Sequence, residues 1–303
     1  MLNLEQIRSL LPSEAMLEPP ELPYKKVGSG KVREIYDLGP NLLIVASDRL
    51  SAFDVILSRG VPGKGILLTQ LSLWWFQQTK SVMQNHLAAD HDRQLEEVIG
   101  KYPDLLPRSM LVRKLTPLKL EAVVRGYLAG SGWSEYKKTG KLWDHELPAG
   151  LLESSALPQP LFTPTTKAET GHDMPVTANE AKEIVGADVF DAAREATLKL
   201  YDLGAQKATQ SGLILADTKF EFGTDASGDL YLIDEVLTPD SSRYWPQEGY
   251  APGKPQPAFD KQYVRDYLET LDWDKTHPGP ELPTSVITNT QKKYIEALEY
   301  LMK

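Results

Sequence analysis

Residues 213–246, LILADTKFEFGTDASGDLYLIDEVLTPDSSRYWP, hold two apolar runs joined by a turn rich in Asp, Ser and Gly. Apolar and polar residues alternate through 213–223, and 230–237 follows as a second apolar run, so the stretch predicts a β-hairpin. Side chains on a strand point to opposite faces in turn. Asp217, Lys219 and Glu221 therefore share one face, and Ile214, Ala216, Thr218, Phe220 and Phe222 share the other. A register that sets Lys219 opposite Asp234 groups Phe220 and Phe222 with Tyr231, Ile233 and Leu237. It also makes Glu221 and Asp234 diagonal neighbours, about 7 to 8 Å apart at Cα. Two carboxylates at that spacing suit a hard cation such as Mg²⁺ shared with the phosphates of a nucleotide. The same stripe equally fits a solvated strand face on which Lys219 neutralises its neighbours.

Around this hairpin lies a chain of 303 residues, long enough for a large core in one domain or in two closely joined lobes. Its 41% apolar and 25% charged residues place it among soluble globular proteins. A formal net charge of −9 argues against a mainly electrostatic nucleic-acid binder, while leaving room for a local basic pocket that takes a phosphorylated small molecule. With no cysteine, disulfides, thiolate metal sites and Cys nucleophiles are excluded, which suits a reducing cytoplasm. The N-terminus lacks a basic start followed by a long apolar run, and no apolar stretch approaches the roughly 18 residues of a membrane span. The expectation is a soluble, unexported, cytoplasmic protein with neither nucleic-acid nor membrane partners. The five histidines are scattered, so no zinc site is expected.

Taken in order, residues 1–12 read as a short amphipathic helix ended by Pro19, Pro20 and Pro23. A meander follows: a strand ending at Val27, then 32–38, then 41–46. Its first turn, Gly28-Ser29-Gly30-Lys31, lies among Lys25, Lys26 and Arg33 and suits a phosphate cover. A plain hairpin turn fits as well, because neither the helix-opening phosphate loop nor G-x-G-x-x-G is present. Residues 47–54 crowd Asp48, Arg49 and Ser51 between apolar strands, as a capped turn does. A helix over 67–82 is expected to turn Leu71, Trp74 and Trp75 to the core. Two strand-like runs are then joined by Leu115-Thr116-Pro117, a connector that divides an N-terminal β-rich lobe, 1–114, from a larger α/β lobe, 115–303. Glu121 and Arg125 share a strand face before a small-residue turn, 126–132, that contains Ser131. They fit an ion pair, or a site where Arg125 grips phosphate. The long loop 147–175 concentrates Lys167, Glu169, His172 and Asp173. Thr177 to Glu180 reads as a capping box, Gly186 as a break, and 188–210 as a long helix, with further helices over 259–271 and 291–302. Short antiparallel strands followed by helices predict an α+β fold.

Several segments together resemble one family, the phosphoribosylaminoimidazole-succinocarboxamide (SAICAR) synthetases. They are GSGKVREIYDLG, ASDRLSAFD, VVRGYLAGSGW, LFTPTTKAETGHD, ILADTKFEFG, DEVLTPDSSRYW and FDKQYVRDYL, which occur in the family's order from about Lys25 to Leu268, and the match looks closest to the longer form. The resemblance implies a two-lobed fold with an ATP-grasp-like or kinase-like nucleotide cleft. It also implies an ATP-dependent ligase of purine biosynthesis that joins carboxyaminoimidazole ribonucleotide (CAIR) and L-aspartate through an acyl phosphate. By position in the motifs it assigns Glu221 and Asp234 to Mg²⁺ and nucleotide phosphate, and Asp217 and Lys219 to the reacting end of CAIR. Arg125, Ser131 and Arg243 fall on the cradle for the ribose phosphate, and Gly30, Lys31 and Arg33 on the loop over the ATP phosphates, where short-form members often carry Lys in place of Arg33. Glu121 is matched to the ATP ribose and the backbone near Lys114 to adenine. Asp48, Arg49 and Ser51 are candidates for aspartate, and Lys167, His172 and Asp173 lie in a matching polar loop. The alternatives are a small-molecule kinase using the same Mg²⁺-ATP site and a catalytically silent nucleotide-binding module. The oligomeric state stays open, a monomer included.

Overall fold

A computed structural model describes residues 2–167, 173–259 and 261–303. The chain forms two compact units. The first takes Met1–Gln77, His86–Lys114 and Phe259–Lys303, and the second takes Gln78–Asn85 and Leu115–Ala258. The expected single cut after Lys114 is thus replaced by an interleaved division, in which the C-terminal helices join the N-terminal residues. Local contacts account for this. Arg59 Nη1 donates to the carbonyl of Leu282 at 2.9 Å, Gln291 Nε2 donates to that of Pro62 at 2.8 Å, and Gly279 lies so close to Leu57 that a Cβ would stand 2.7 Å from it.

In the first unit, strands Lys25–Ser29, Arg33–Asp37, Asn41–Ala46 and Ser109–Arg113 pair antiparallel in that order. The expected meander is present. Alternation turns Tyr36, Leu43, Val45 and Leu111 onto a core shared with Leu95 and Ile99 of helix His91–Ile99. The helix expected over 67–82 spans Lys64–Gln78 and is buried nearly all round, with Leu71, Trp75 and Phe76 fully enclosed and Lys64, Thr69, Gln70 and Ser72 buried beside them. The first helix, Leu4–Ser9, is shorter than the pattern suggested. Asn3 and Gln6 form a capping box, and Ile7 is its one buried anchor.

The second unit is built on strand Leu213–Thr224. Its first half pairs with Ser242–Pro246, its middle with Leu120–Tyr127, and its last residues with Leu230–Ile233 and Thr116–Pro117, all antiparallel. Among the described residues this sheet has seven strands. The hairpin is therefore no exposed ribbon, and Asp217 and Glu221 are buried despite their charge.

The expected register is wrong by one residue. Glu221 faces Ile233, Phe222 faces Leu232 and Gly223 faces Tyr231, so Phe222 lies on the opposite side from Tyr231 and Ile233. Pairing stops at Ile233 because Asp234 takes left-handed backbone with φ 65°, and Leu237 does so again with φ 52°. Alternation cannot be counted through those two residues. The grouping of Asp217, Lys219 and Glu221 on one face does hold, because it lies within a single regular strand.

Helix Ala187–Gln210 packs on the sheet, with the Tyr201 hydroxyl donating to the Leu215 carbonyl at 2.7 Å and Gly204 seated against Leu237 and Leu215. The helix Ala178–Val185 before it opens on the expected Thr177–Glu180 capping box.

Candidate active site

Antiparallel pairing with Leu120–Tyr127 sets Asp217 opposite Arg125 and Lys219 opposite Val123. Glu121, two residues from Val123, falls on the same face, and Thr165 pairs beside it. Lys219 Nζ donates to Glu121 Oε1 at 2.8 Å and to Glu221 Oε1 at 2.9 Å, while Lys167 Nζ is bound to Glu221 Oε2 and Thr165 Oγ1 donates to Glu121 Oε2 at 3.3 Å. Burial by itself would lower the affinity of Lys219 for its proton. Glu221, Glu121 and Asp234 outweigh that penalty and hold the ammonium well above its ordinary range. Glu121 responds in the opposite sense: burial raises its carboxyl against the pull of Lys219, and Asp173 and Glu221 add to the rise. Four carboxylates, Glu121, Glu221, Asp234 and Asp173, thus act around two ammonium groups, Lys219 and Lys167. The local surplus of negative charge suits a divalent cation.

Along the same strand, Asp217 Oδ2 accepts from Arg125 Nη1 at 3.3 Å and from Arg243 Nη1 at 2.5 Å. Arg125 is held at every edge of its guanidinium. Nε donates to Thr163 Oγ1 and Nη2 to Ser131 Oγ, both at 3.1 Å, and the Trp143 ring lies 5.2 Å away. The Glu121–Arg125 ion pair does not form, since each residue is engaged elsewhere. The small residues of the following turn clear space for the arginines. A Cβ on Gly130 would stand 2.9 Å from Arg243 Nη2, and one on Gly132 would stand 3.3 Å from Arg125 Cδ. Gly130 begins helix Gly130–Thr139, and Ala129 before it supplies no side-chain cap. Two guanidinium groups, a hydroxyl and the first amides of a helix make an anion site.

The first unit carries the other candidates. The turn after Ser29 closes through Gly30 N–H to the Arg33 carbonyl at 2.8 Å. Gly30 has no positive φ, and a Cβ there would meet only the Arg33 carbonyl oxygen at 3.5 Å, so the fold itself does not demand glycine. Lys31 pairs with Asp54, and Lys114 Nζ with Asp37 Oδ2 at 2.7 Å. Ser51 stands in a two-residue strand paired to Val55–Ile56.

Asp48 is not available to a substrate. Its carboxylate is fully buried and accepts from the N–H groups of Met16, Gly63 and Gly65 and from Arg108 at 2.8 and 3.3 Å. The capped-turn alternative describes it better. His172, like Glu169, lies outside the described residues. Thr163, Thr165, Trp143, Glu34 and Arg108 were missed. Each acts through a partner that lies elsewhere in the sequence, although Thr163 and Thr165 fall inside the polar TPTTKAE run and Glu34 inside GSGKVREIYDLG, which is the local signal that could have found them.

The chain matches the family model described as SAICAR synthetase over residues 26–280. It is 54% identical over 275 residues to the phosphoribosylaminoimidazole-succinocarboxamide synthase of Desulfosudis oleivorans, covering 90% of this chain and 94% of the relative. The chain belongs to the SAICAR synthetase family. The enzyme of the same name from Geotalea uraniireducens is 51% identical over 276 residues, covering 90% and 93% of the two chains. In structure, the SAICAR synthase of Saccharomyces cerevisiae, solved complexed with SAICAR, superposes with a TM-score of 0.83 at 41% identity, covering 94% of this chain and 98% of that one. The α+β architecture is that of the family, and ATP is its co-substrate. The family activity is ligation of CAIR and L-aspartate in purine biosynthesis, and a small-molecule kinase is not favoured.

Proposed function

We propose that this chain makes SAICAR from CAIR, L-aspartate and ATP by dividing the work along strand Leu213–Thr224. The observation that carries the assignment is the spacing of two charged centres on one strand face. Asp217 organises the Arg125–Arg243 anion site, and Lys219 with Glu221 organises the carboxylate cluster. Glu221 lies four positions after Asp217, about 13 Å along extended chain. The two centres therefore lie apart on one face, and the phosphate and the reacting end of one ribonucleotide each meet their own.

Arg125, Ser131 and Arg243 are assigned to the ribose phosphate of CAIR. Asp217 is assigned to holding both guanidinium groups in place, since its Oδ2 is committed to them. Lys219 supplies fixed positive charge where the CAIR carboxylate takes the γ-phosphoryl group of ATP. The carboxylate oxygen attacks phosphorus, ADP leaves, and the resulting acyl phosphate has a good leaving group in place of oxide. The amine of aspartate then attacks the carbonyl carbon, phosphate departs and one amine proton is lost.

Glu221 and Asp234 are assigned to Mg²⁺. Among the described residues no three His, Asp or Glu side chains converge on a metal site, but Mg²⁺ is commonly held by one or two carboxylates with phosphate and water completing its shell. The surplus carboxylate charge around Lys219 fits that mode, and the ion when bound would neutralise phosphoryl oxygens. Glu121 is assigned to the ATP ribose, Gly30, Lys31 and Arg33 to the ATP phosphates, and the backbone near Lys114 to adenine. Lys167 and Asp173 border the carboxylate cluster. Ser51 is kept as a candidate for aspartate. No helix among the described residues is long and apolar enough to cross a membrane, and we place the enzyme in the cytoplasm.

The test is ADP release with Mg²⁺-ATP, CAIR and aspartate, omitting each in turn and identifying the product by mass. A succinyl-amide product that needs all three substrates supports the assignment. ADP release that ignores aspartate and leaves a lasting phosphorylated product would overturn it.

A further inference from the structure

Three consecutive carbonyls of the glycine turn are gripped by one short segment, residues 47–49. Ser47 donates through both N–H and Oγ to the Val32 carbonyl, at 2.9 and 3.0 Å. Arg49 donates from Nη2 to the Gly30 carbonyl and from Nε to the Lys31 carbonyl, both at 2.9 Å. Its Nη1 reaches the Leu17 carbonyl at 3.0 Å and Glu34 Oε1 at 2.8 Å. The Arg49 side chain is only 11% exposed and that of Glu34 only 3%. Glu34 is itself fixed by Ser29 Oγ at 3.0 Å and Lys26 Nζ at 3.1 Å. The foot of the clamp cannot shift, because the neighbouring Asp48 carboxylate is buried under three backbone amides and Arg108.

We propose that Arg49 is a positioning residue for ATP, fixing the Gly30–Arg33 turn by its carbonyls, with Glu34 as the counter-charge that aims its guanidinium. The inference rests on reading that turn as the cover of the ATP phosphates. It replaces a role for Arg49 in pairing with an aspartate carboxylate, since all three of its nitrogens already donate within the protein. A planar fork is required: three carbonyls and a carboxylate lie around one guanidinium, and a lysine ammonium on this stem could serve only part of them. The outer face of the turn is left for the nucleotide, with Lys31 resting on Asp54.

The experiment compares Arg49→Lys, Arg49→Ala and Glu34→Gln with the parent enzyme. Initial rates are measured while ATP, CAIR and aspartate are varied separately, and amide exchange is followed over residues 30–33. Expected are faster exchange in the turn and a rise of about tenfold or more in KM for ATP, the scale on which displaced binding groups act. KM for aspartate should stay within about twofold, and the Arg49→Ala/Glu34→Gln double variant should be no worse than the poorer single one. A rise in KM for aspartate with that for ATP unchanged would overturn the proposal and make Arg49 a substrate ligand. Unchanged exchange in a folded Arg49→Lys variant would overturn it as well. If exchange speeds up but neither Arg49→Lys nor Lys31→Ala alters KM for ATP, the clamp exists and the turn's assignment to ATP is what fails. Should Arg49→Ala not fold, the lysine variant and Glu34→Gln carry the test alone.

Discussion

At the scale of single residues, charge in this chain is spent in two ways that burial alone does not separate. Asp48 and Glu221 are both buried carboxylates, but Asp48 is saturated by backbone amides and Arg108, whereas Glu221 meets two ammonium groups that a bound cation could replace. Glu221→Gln is expected to lower kcat by at least about 10²-fold, the usual loss of an electrostatic contact made in the transition state, with the melting midpoint little changed. Asp234→Asn should behave alike in the same assay. Asp48→Ala should do the reverse. It leaves Arg108 buried without its counter-ion and should cost about 3 to 5 kcal/mol in denaturant unfolding, while the folded fraction keeps the parent KM for aspartate. Gly30→Ala separates fold from site again: a Cβ there meets only the Arg33 carbonyl oxygen, at 3.5 Å, so an unchanged melt with a raised KM for ATP is expected.

At the scale of elements, the seat of helix Ala187–Gln210 on the sheet depends on what is missing from Gly126. A Cβ there would lie 1.9 Å from the Tyr201 hydroxyl, which is fixed by its bond to Leu215 and enclosed on all sides. Gly126→Ala should therefore destabilise the protein by about 1 to 3 kcal/mol through overpacking, measured as a fall in the denaturant midpoint. Tyr201→Phe in the alanine background should recover part of that loss by removing the clashing oxygen. The error in hairpin register belongs to this scale too. Strand Leu213–Thr224 has partners on both edges and buried residues on both faces, so hydrophobic alternation could not tell which face Tyr231 and Ile233 would share.

At the scale of the whole molecule, helix Thr284–Leu301 lies beyond the family match that ends at residue 280, yet it packs within the first unit. It buries Val286, Ile287, Tyr294, Ala297, Leu298 and Leu301, and Glu299 pairs with Arg8. Truncation after residue 280 should lower the melting temperature and expose apolar surface to a hydrophobic dye; an unchanged melt would contradict this packing. Acid should loosen the same unit through Glu34. Burial pushes its carboxyl up, but hydrogen bonds from Arg49, Ser29 and Lys26 prevail and hold it below its ordinary 4.5. Because the folded value is the lower one, the stabilisation is fully present above the unfolded value and is lost as pH falls through the folded one. Stability measured from pH 6 down to pH 3 should fall less steeply in Glu34→Gln than in the parent.

The sequence by itself determined what depends on short range. The meander, the Thr177 capping box, the helices expected over 67–82 and 188–210 and the shared face of Asp217, Lys219 and Glu221 follow from local periodicity and cap chemistry, and the run of motifs identified the family; helices His91–Ile99 and Gly130–Thr139 were not legible in it. Only the tertiary structure decided which charges meet. Arg125 stands 92 residues from Asp217, and Lys219 stands 98 from Glu121. Whether Asp48 serves substrate or scaffold turned on amides at residues 16, 63 and 65. No local pattern encodes such pairings, because a strand's alternation fixes the face of a side chain and says nothing of the strand that will lie beside it.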